Sequence, residues 1–244
     1  MTLCYPGGEL ELFAAATNWK RYVATLVAPY VASPVLEVGA GIGAHVPFLF
    51  KPVIEDWCCL EPDRRLASYI ADRIAHRELP AACRVVNGTL DRLDASDLFG
   101  TVLYLDVLEH IDDDRAELAR ATTHLADGGS LIVLAPAHQF LFSEFDRAIG
   151  HYRRYGAEAL RSLAPPQCRL ICCRMLDAAG FFLSLGNRVL LRSASPSPQQ
   201  IAFWDKAVVP LSRVLDRCLG YRFGKSVLAV WTKTSGPATG GSTR

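Results

Sequence analysis

The chain has 244 residues, half of them hydrophobic, with 26 basic against 25 acidic side chains and a formal net charge of +1. The near-neutral balance excludes a protein that binds nucleic acid mainly through bulk positive charge, and the apolar content excludes an intrinsically disordered chain. At this length, one large α/β domain is expected rather than two small ones.

The N-terminal stretch has neither the basic region nor the apolar region of a signal peptide, and no apolar run is long enough to span a membrane. We therefore expect a soluble, cytoplasmic protein with no membrane partner. Residues 9–31 predict one or two helices, so residues 1–34 are interpreted as a helical cover over the domain that follows. The aromatic residues of this cover are candidates to contact a substrate: Tyr5, Trp19 and Tyr22.

Short apolar runs predict the strands of the main domain, residues 35–234. Their nearly continuous apolar character suits a sheet that is covered on both faces. The predicted strands are residues 35–38, 57–61, 83–87, 101–106, 130–136, 168–176 and 226–233. Helical patterns lie between them, and this alternation indicates a mostly parallel sheet with right-handed crossovers.

Other segments carry local signals. Residues 112–129 predict a helix, because Asp112–Asp114 favour its N-terminus and Gly128 or Gly129 suits its end. Residues 200–220 have helical spacing of apolar side chains, with a kink expected at Pro210. Ser193–Gln200 and the tail 235–244 are predicted to be mobile.

The eight cysteines lack the spacing of a zinc site, and no CxxC pair occurs. Several lie inside apolar runs, so we expect reduced and mostly buried thiols. The adjacent acids Asp112–Asp114 are interpreted as a helix cap instead of metal ligands. The sequence therefore predicts no metal.

A glycine-rich turn follows the first predicted strand. Gly39, Gly41 and Gly43 would let backbone N–H groups approach a ligand without an intervening Cβ atom. Taken alone, Gly39-x-Gly41-x-x-Ala44 also fits a dinucleotide fingerprint. An NAD-dependent oxidoreductase is therefore one alternative.

Three further features indicate a different cofactor. Glu37 would repel a pyrophosphate but could hold a cationic amino-acid group. Glu61, at the end of the second strand, could accept hydrogen bonds from both hydroxyls of a ribose. Thr89 and the Leu90 amide could border an adenine. These groups together describe S-adenosylmethionine (SAM), whose product after methyl transfer is S-adenosylhomocysteine (SAH).

The chain resembles the class I SAM-dependent methyltransferases in four motifs that occur in order: VLEVGAGIG, LEPD, LYLDVLEHIDDD and ADGGSLIVLAP. This resemblance implies a Rossmann-like α/β fold, with a seven-stranded, mostly parallel sheet, helices on both faces and an antiparallel last strand. It also implies that Gly39 and Gly41 pass the methionine part of SAM. In the same way it places Glu61 and Pro62 at the ribose, and Asp106 near the methionine end.

The segment after the fifth strand, FDRAIGHYRRYG, is similar to one found in bacterial small-molecule methyltransferases that carry GHYRRY there. Some of those relatives act in natural-product pathways, including on carbon atoms of rings such as indole. The resemblance implies a small, aromatic or apolar methyl acceptor, with Tyr152 a candidate to contact it. Methylation of an indole-like ring on carbon or nitrogen is one direction, and whether C, N or O is methylated is not indicated.

An acceptor that loses a proton needs a base with a pKa near neutrality, which favours histidine. His151 is the first candidate and His110 the second, although His151 could instead bond Asp146 and fix its own loop. Arg153 and Arg154 are expected to be structural, and no nucleic-acid partner is expected. A protein of this fold that catalyses a non-methylating reaction, such as a cyclisation, also stays open, and the oligomeric state is not indicated.

Overall fold

The structure is a computed structural model that describes residues 9–190 and 197–235. Its seven strands form one sheet in the order β3-β2-β1-β4-β5-β7-β6. The strands are β1 Val35–Val38, β2 Trp57–Glu61, β3 Cys83–Asn87, β4 Phe99–Leu105, β5 Leu125–Pro136, β6 Cys168–Leu176 and β7 Ser226–Lys233. Strands β1 to β5 pair in parallel, whereas β7 is antiparallel to both β5 and β6. The predicted fold, with its antiparallel last strand, is confirmed.

The described residues contain ten α-helices. These are α1 Glu9–Ala14, α2 Thr17–Val27, α3 Val46–Leu49, α4 Arg64–Ala75, α5 Asp114–Thr123, α6 Glu144–Ala148, α7 Ala157–Ser162, α8 Ala178–Leu190, α9 Pro198–Phe203 and α10 Val209–Cys218. The predicted N-terminal cover consists of two helices, α1 and α2. None of the described helices is both long enough and apolar enough to cross a membrane.

The helix predicted over residues 112–129 is shorter than expected. Helix α5 ends at Thr123, and β5 begins at Leu125, which pairs with Phe99 of β4. Gly128 has a φ of +76°, which a continuing α-helix cannot contain. The start of the helix is as predicted, since the Asp113 side chain accepts a hydrogen bond from the Ala116 N–H.

Two further predictions need correction or qualification. Residues 198–200, predicted to be mobile, begin α9 because Ser197 and Gln200 form a reciprocal capping box. The irregularity expected at Pro210 is a turn of π-helix, Trp204–Val208, directly before α10. Proline has no N–H to donate into an α-helical ladder, which suits such a turn. The rest of the predicted mobile loop, residues 193–196, and the tail beyond residue 235 lie outside the described residues.

The core has two layers, one on each face of the sheet. Successive β4 residues alternate between them, as the strand period of two requires: Leu103 and Leu105 face one layer, and Val102 and Tyr104 the other. Helices α2 and α10 cover the first layer, while α5 and α7 cover the second. The seven described cysteines are free thiols, three of them buried.

Candidate active site

The turn after β1 uses the backbone freedom of glycine. Gly39, Gly41 and Gly43 have φ values of +64°, +60° and +69°, in the left-handed region. The Gly39 N–H donates to the Leu60 carbonyl at 2.8 Å, and the Gly41 N–H donates to Glu61 Oε2 at 2.7 Å. The turn is therefore bonded directly to the end of β2.

Glu61 is the buried acid at this turn. Its Oε1 accepts the Asp63 N–H at 2.9 Å, so each oxygen has one backbone donor and a remaining lone pair. Burial raises the pKa of Glu61 to about 7, against the hydrogen bonds from Asp63 and Gly41. Pro62 follows and is partly buried.

Glu37 lies at the end of β1 and has partners within the protein. It accepts a hydrogen bond from Trp57 Nε1 at 3.1 Å, and its other oxygen lies 3.4 Å from His45 Nδ1. Because the side chain is buried, these contacts support the base of the turn. Its contact with a cationic amino-acid group stays a prediction.

The ends of β3 and β4 reach the same edge of the sheet as the glycine turn, because these strands are parallel. After β3, Thr89 is exposed and Leu90 is buried. After β4, Asp106 adopts a φ of +57° while its N–H bonds the Leu134 carbonyl of β5 at 2.9 Å. The turn at Asp106 is thus fixed by the adjacent strand.

Two opposing effects act on the pKa of Asp106. Asp106 is exposed at the carboxyl edge of the sheet, yet the surrounding protein partly desolvates its carboxyl group. This desolvation raises the pKa of Asp106, whereas the attraction of His45, His151 and Lys20 lowers it. Lys20, in α2, is buried and donates to the Phe13 carbonyl at the end of α1. Burial lowers the pKa of Lys20 to about 8. Sequence analysis missed this lysine, because it lies in the cover instead of in a motif.

Two carboxylates, Asp146 and Asp114, hold the GHYRRY segment in place. Asp146 accepts two hydrogen bonds from the Arg154 guanidinium, each at 2.9 Å, and one from His151 Nδ1 at 3.0 Å. Burial opposes ionisation of Asp146, but these hydrogen bonds outweigh it and hold the pKa of this carboxyl well below its usual range. Arg153 instead pairs with Asp114 at 2.7 Å, so both arginines are structural, as expected.

Both candidate histidines lie beside a buried glutamate. The His110 and His151 rings are 4.5 Å apart, and His151 Nε2 lies 3.9 Å from Glu109 Oε1. The Tyr152 N–H donates to the Glu109 carbonyl at 2.8 Å, which ties the two segments together. Burial, together with the neighbouring His151, lowers the pKa of His110 to about 4.

The proposed substrate-contacting aromatics differ in position. Trp19 and Tyr22 are core residues. The Tyr22 hydroxyl donates to Asp216 at 2.8 Å, and the backbone N–H of Trp19 donates to Asp205 at 2.9 Å. Burial and the hydrogen bond to Asp216 raise the pKa of Tyr22 far above its usual value. Their packing gives them a structural role that the sequence pattern did not distinguish from substrate contact. Tyr152 is exposed, and Tyr5 lies outside the described residues.

A cluster of aromatic rings lies further along the same edge. Phe181 follows β6 and Phe223 precedes β7, and their ring centroids are 4.2 Å apart. His138 and Phe140 come from the segment after β5, each with its ring centroid within 6.1 Å of that of Phe181. This cluster was not predicted from the sequence, because no local pattern joins residues so distant in the chain.

Residues 36–133 match the family model described as a methyltransferase domain. The match covers β1 to most of β5, the part that carries the glycine turn and the acids after β2 and β4. The resemblance to class I SAM-dependent methyltransferases is thereby confirmed. No curated protein matches the chain.

Solved structures with the same fold include enzymes of different kinds. The [4+2]-cyclase SpnF is 13% identical, with coverage of 94% of this chain and 95% of that one and a TM-score of 0.60. Coclaurine N-methyltransferase, bound to N-methylheliamine and SAH, is 12% identical, with coverage of 87% and 72% and a TM-score of 0.60. The N-methyltransferase NodS from Bradyrhizobium japonicum WM9 is 14% identical, with coverage of 91% and 97% and a TM-score of 0.55. At these identities the likeness concerns the fold alone.

Within residues 36–133, Glu109 was not predicted from the sequence. It lies between a buried leucine and His110, and its Oε2 has no hydrogen-bond partner among the described residues. Burial raises the pKa of Glu109 well above its usual value, and the nearby Asp106 adds to this. The only signal in the sequence was its place beside a candidate base, at the carboxyl end of a predicted strand.

Proposed function

We propose that the chain is a SAM-dependent methyltransferase that transfers a methyl group to a small, aromatic or apolar molecule. The observation that carries this proposal is the hydrogen bond between the Gly41 N–H and Glu61, inside a domain of the methyltransferase family. It joins the open backbone turn to a buried carboxylate at the edge where ligands bind open α/β sheets.

Each part of SAM has a proposed partner in a cleft that we propose along this edge, between the glycine turn after β1 and the residues after β4. Gly39 and Gly41 border the methionine part. Glu61, beside Pro62, receives the ribose through the lone pairs that its backbone donors leave unused. Thr89 and Leu90 border the adenine. Asp106 lies toward the methionine end, where a carboxylate complements the positive charge of the sulfonium and of the amino group.

The aromatic rings after β5 and β6 support the choice of acceptor. Phe140 and Phe182 are more than half exposed, and both pack against Phe181. An aromatic surface at the carboxyl edge suits an apolar or aromatic molecule. An indole-like ring, methylated on carbon or nitrogen as part of natural-product biosynthesis, is the specific candidate.

Methyl transfer from a sulfonium is an in-line displacement with an activated donor, so positioning supplies most of the rate. His151, with His110 second, is the proposed base for an acceptor that loses a proton. In support, Asp146 can only accept a hydrogen bond, so it fixes the proton on His151 Nδ1 and leaves Nε2 to receive one.

The deciding experiment compares ligands and then products. SAH should raise the melting temperature of the protein and NAD should not, because a ligand that binds only the folded state stabilises it. Labelled SAM should then transfer label to an acceptor from a library of aromatic small molecules. Stabilisation by NAD alone would contradict the proposal, and SAH binding without any label transfer would favour a non-methylating reaction such as a cyclisation.

The cofactor assignment has its own test in Glu61→Gln. Glutamine keeps an acceptor for the Gly41 N–H but loses the charge that strengthens hydrogen bonds to a ribose, so SAM affinity should fall by about tenfold or more. Glu61→Ala should weaken it further. Asp56→Asn is the matched control, since Asp56 precedes the opposite end of β2 and pairs with Arg84. Equal SAM affinity in all three variants would contradict the assignment.

A further inference from the structure

We propose that Glu109, His110 and His151 form a binding site for one divalent transition-metal ion such as Zn²⁺. One ligand atom from each of these residues lies within 4.8 Å of the other two. Two imidazoles and one carboxylate are the donor set that Zn²⁺, Fe²⁺ and Co²⁺ share, whereas Mg²⁺ and Ca²⁺ prefer oxygen ligands. The prediction of no metal from the sequence rested on the cysteines and Asp112–Asp114 alone.

The unpaired oxygen of Glu109 is the independent observation. This side chain is 1% exposed, yet its Oε2 has no hydrogen-bond partner in the described part of the chain. A buried carboxylate without a partner is costly, and two further carboxylates, Asp106 and Asp146, lie near it. The Arg154 guanidinium faces Glu109, while Lys20 and Lys225 act on Asp106. A cation at the three ligand atoms would complete the coordination of Glu109 and balance this negative charge.

The orientation of His151 also suits a metal ligand. Its Nδ1 bonds Asp146, which fixes the tautomer and leaves the Nε2 lone pair pointing toward Glu109. A carboxylate that orients a histidine in this way is the usual companion of a histidine metal ligand.

Three protein ligands leave at least one coordination position open. The open position would take an oxygen or nitrogen donor of the methyl acceptor, and this consequence alone rests on the proposed function. The metal would occupy the Nε2 atom that a base at His151 requires, so the two roles exclude each other in one molecule.

The test uses the full chain, stripped with EDTA and titrated with Co²⁺. We expect one Co²⁺ per chain, with visible absorption bands of nitrogen and oxygen ligands and no thiolate charge-transfer band in the near ultraviolet. Glu109→Gln, His110→Asn and His151→Gln should each weaken binding by about 10–100-fold or more. His76→Gln should bind like the parent, because His76 is exposed at the end of α4.

Folding and cofactor binding are measured on the same samples by thermal unfolding with and without SAH. Three ligand variants are included so that the loss of one to misfolding leaves two to decide. Co²⁺ uptake that is unchanged in the folded variants, or that shows a thiolate band, would overturn the proposal. A metal-free chain that binds SAH, transfers methyl groups and takes up no Co²⁺ would also overturn it, while leaving the proposed function intact.

Discussion

The two halves of the cleft are built in different ways. On the side of β1 and β2, backbone N–H groups of the glycine turn bond the Leu60 carbonyl and the Glu61 carboxylate, about twenty residues away in the chain. On the side of β4 and β5, Glu109 and His151 are 42 positions apart in the chain, and their side chains lie 3.9 Å from each other. One backbone hydrogen bond, from the Tyr152 N–H to the Glu109 carbonyl, joins the two segments. The first half can be predicted from residue type and spacing, whereas the arrangement of the second half depends on tertiary contacts.

The strongest test of the backbone half is Gly41→Val. A β-branched side chain is strained at a φ of +60°, and its Cβ would project beside Leu10 of α1, into the space proposed for SAM. We expect SAM binding to fall below detection in calorimetry.

The matched control for this substitution is Gly128→Val. Gly128 has a φ of +76°, and nothing lies within 4 Å of a Cβ built there, so this variant measures the cost of backbone strain alone. If Gly41→Val bound SAH as tightly as Gly128→Val, the turn would not face the cofactor, and the contrast between the two halves of the cleft would fail.

The side-chain half is tested by His151→Ala, which should lower kcat by about 10²–10⁴ with SAM affinity little changed. His151→Gln should be equally slow, because an amide can neither accept the proton as a base does nor replace imidazole as a strong metal ligand. His76→Gln again serves as the unaffected control. A rate within about threefold of the parent for both His151 variants would remove this residue from catalysis.

Chelation separates the two roles of His151. If it acts as a base, EDTA-treated protein should retain its rate of methyl transfer. If it binds a metal, the rate should fall on treatment and return with Zn²⁺, while SAH binding stays constant in both cases.

The same contrast explains which features the sequence could predict. All seven strands and the glycine turn were predicted, because apolar runs and glycine spacing act locally. The helix predicted over residues 112–129 was too long, because the pairing of Leu125 with Phe99 in the sheet overrides the helical pattern of the residues after Thr123. Trp19, Tyr22 and Glu109 could not be placed, because a buried aromatic and a cleft-facing one have the same local sequence, and an unpaired carboxylate is visible only once its neighbours are known.

The smallest expected effect is the dependence of SAM affinity on pH, and it concerns Glu61 again. Burial raises the pKa of Glu61 to about 7, and Asp63 and Glu37, the acids that face it from the turn after β2 and from β1, act in the same direction. Below this pKa the folded protein holds a proton on the carboxyl, so the stronger, charge-assisted bonds to the ribose form only as the pH rises.

Because the ionised fraction of such a group increases about tenfold between pH 6 and pH 8, SAM affinity should rise by up to about tenfold over this range. Without ligand, the contribution of Glu61 to the free energy of unfolding should decrease as the pH rises from about 4.5 to 7, because the folded state binds this proton more tightly than the unfolded state. Calorimetric titration of SAH at several pH values measures the first effect. In Glu61→Gln the rise should disappear, and a rise that persists there would show that Glu61 is not its source.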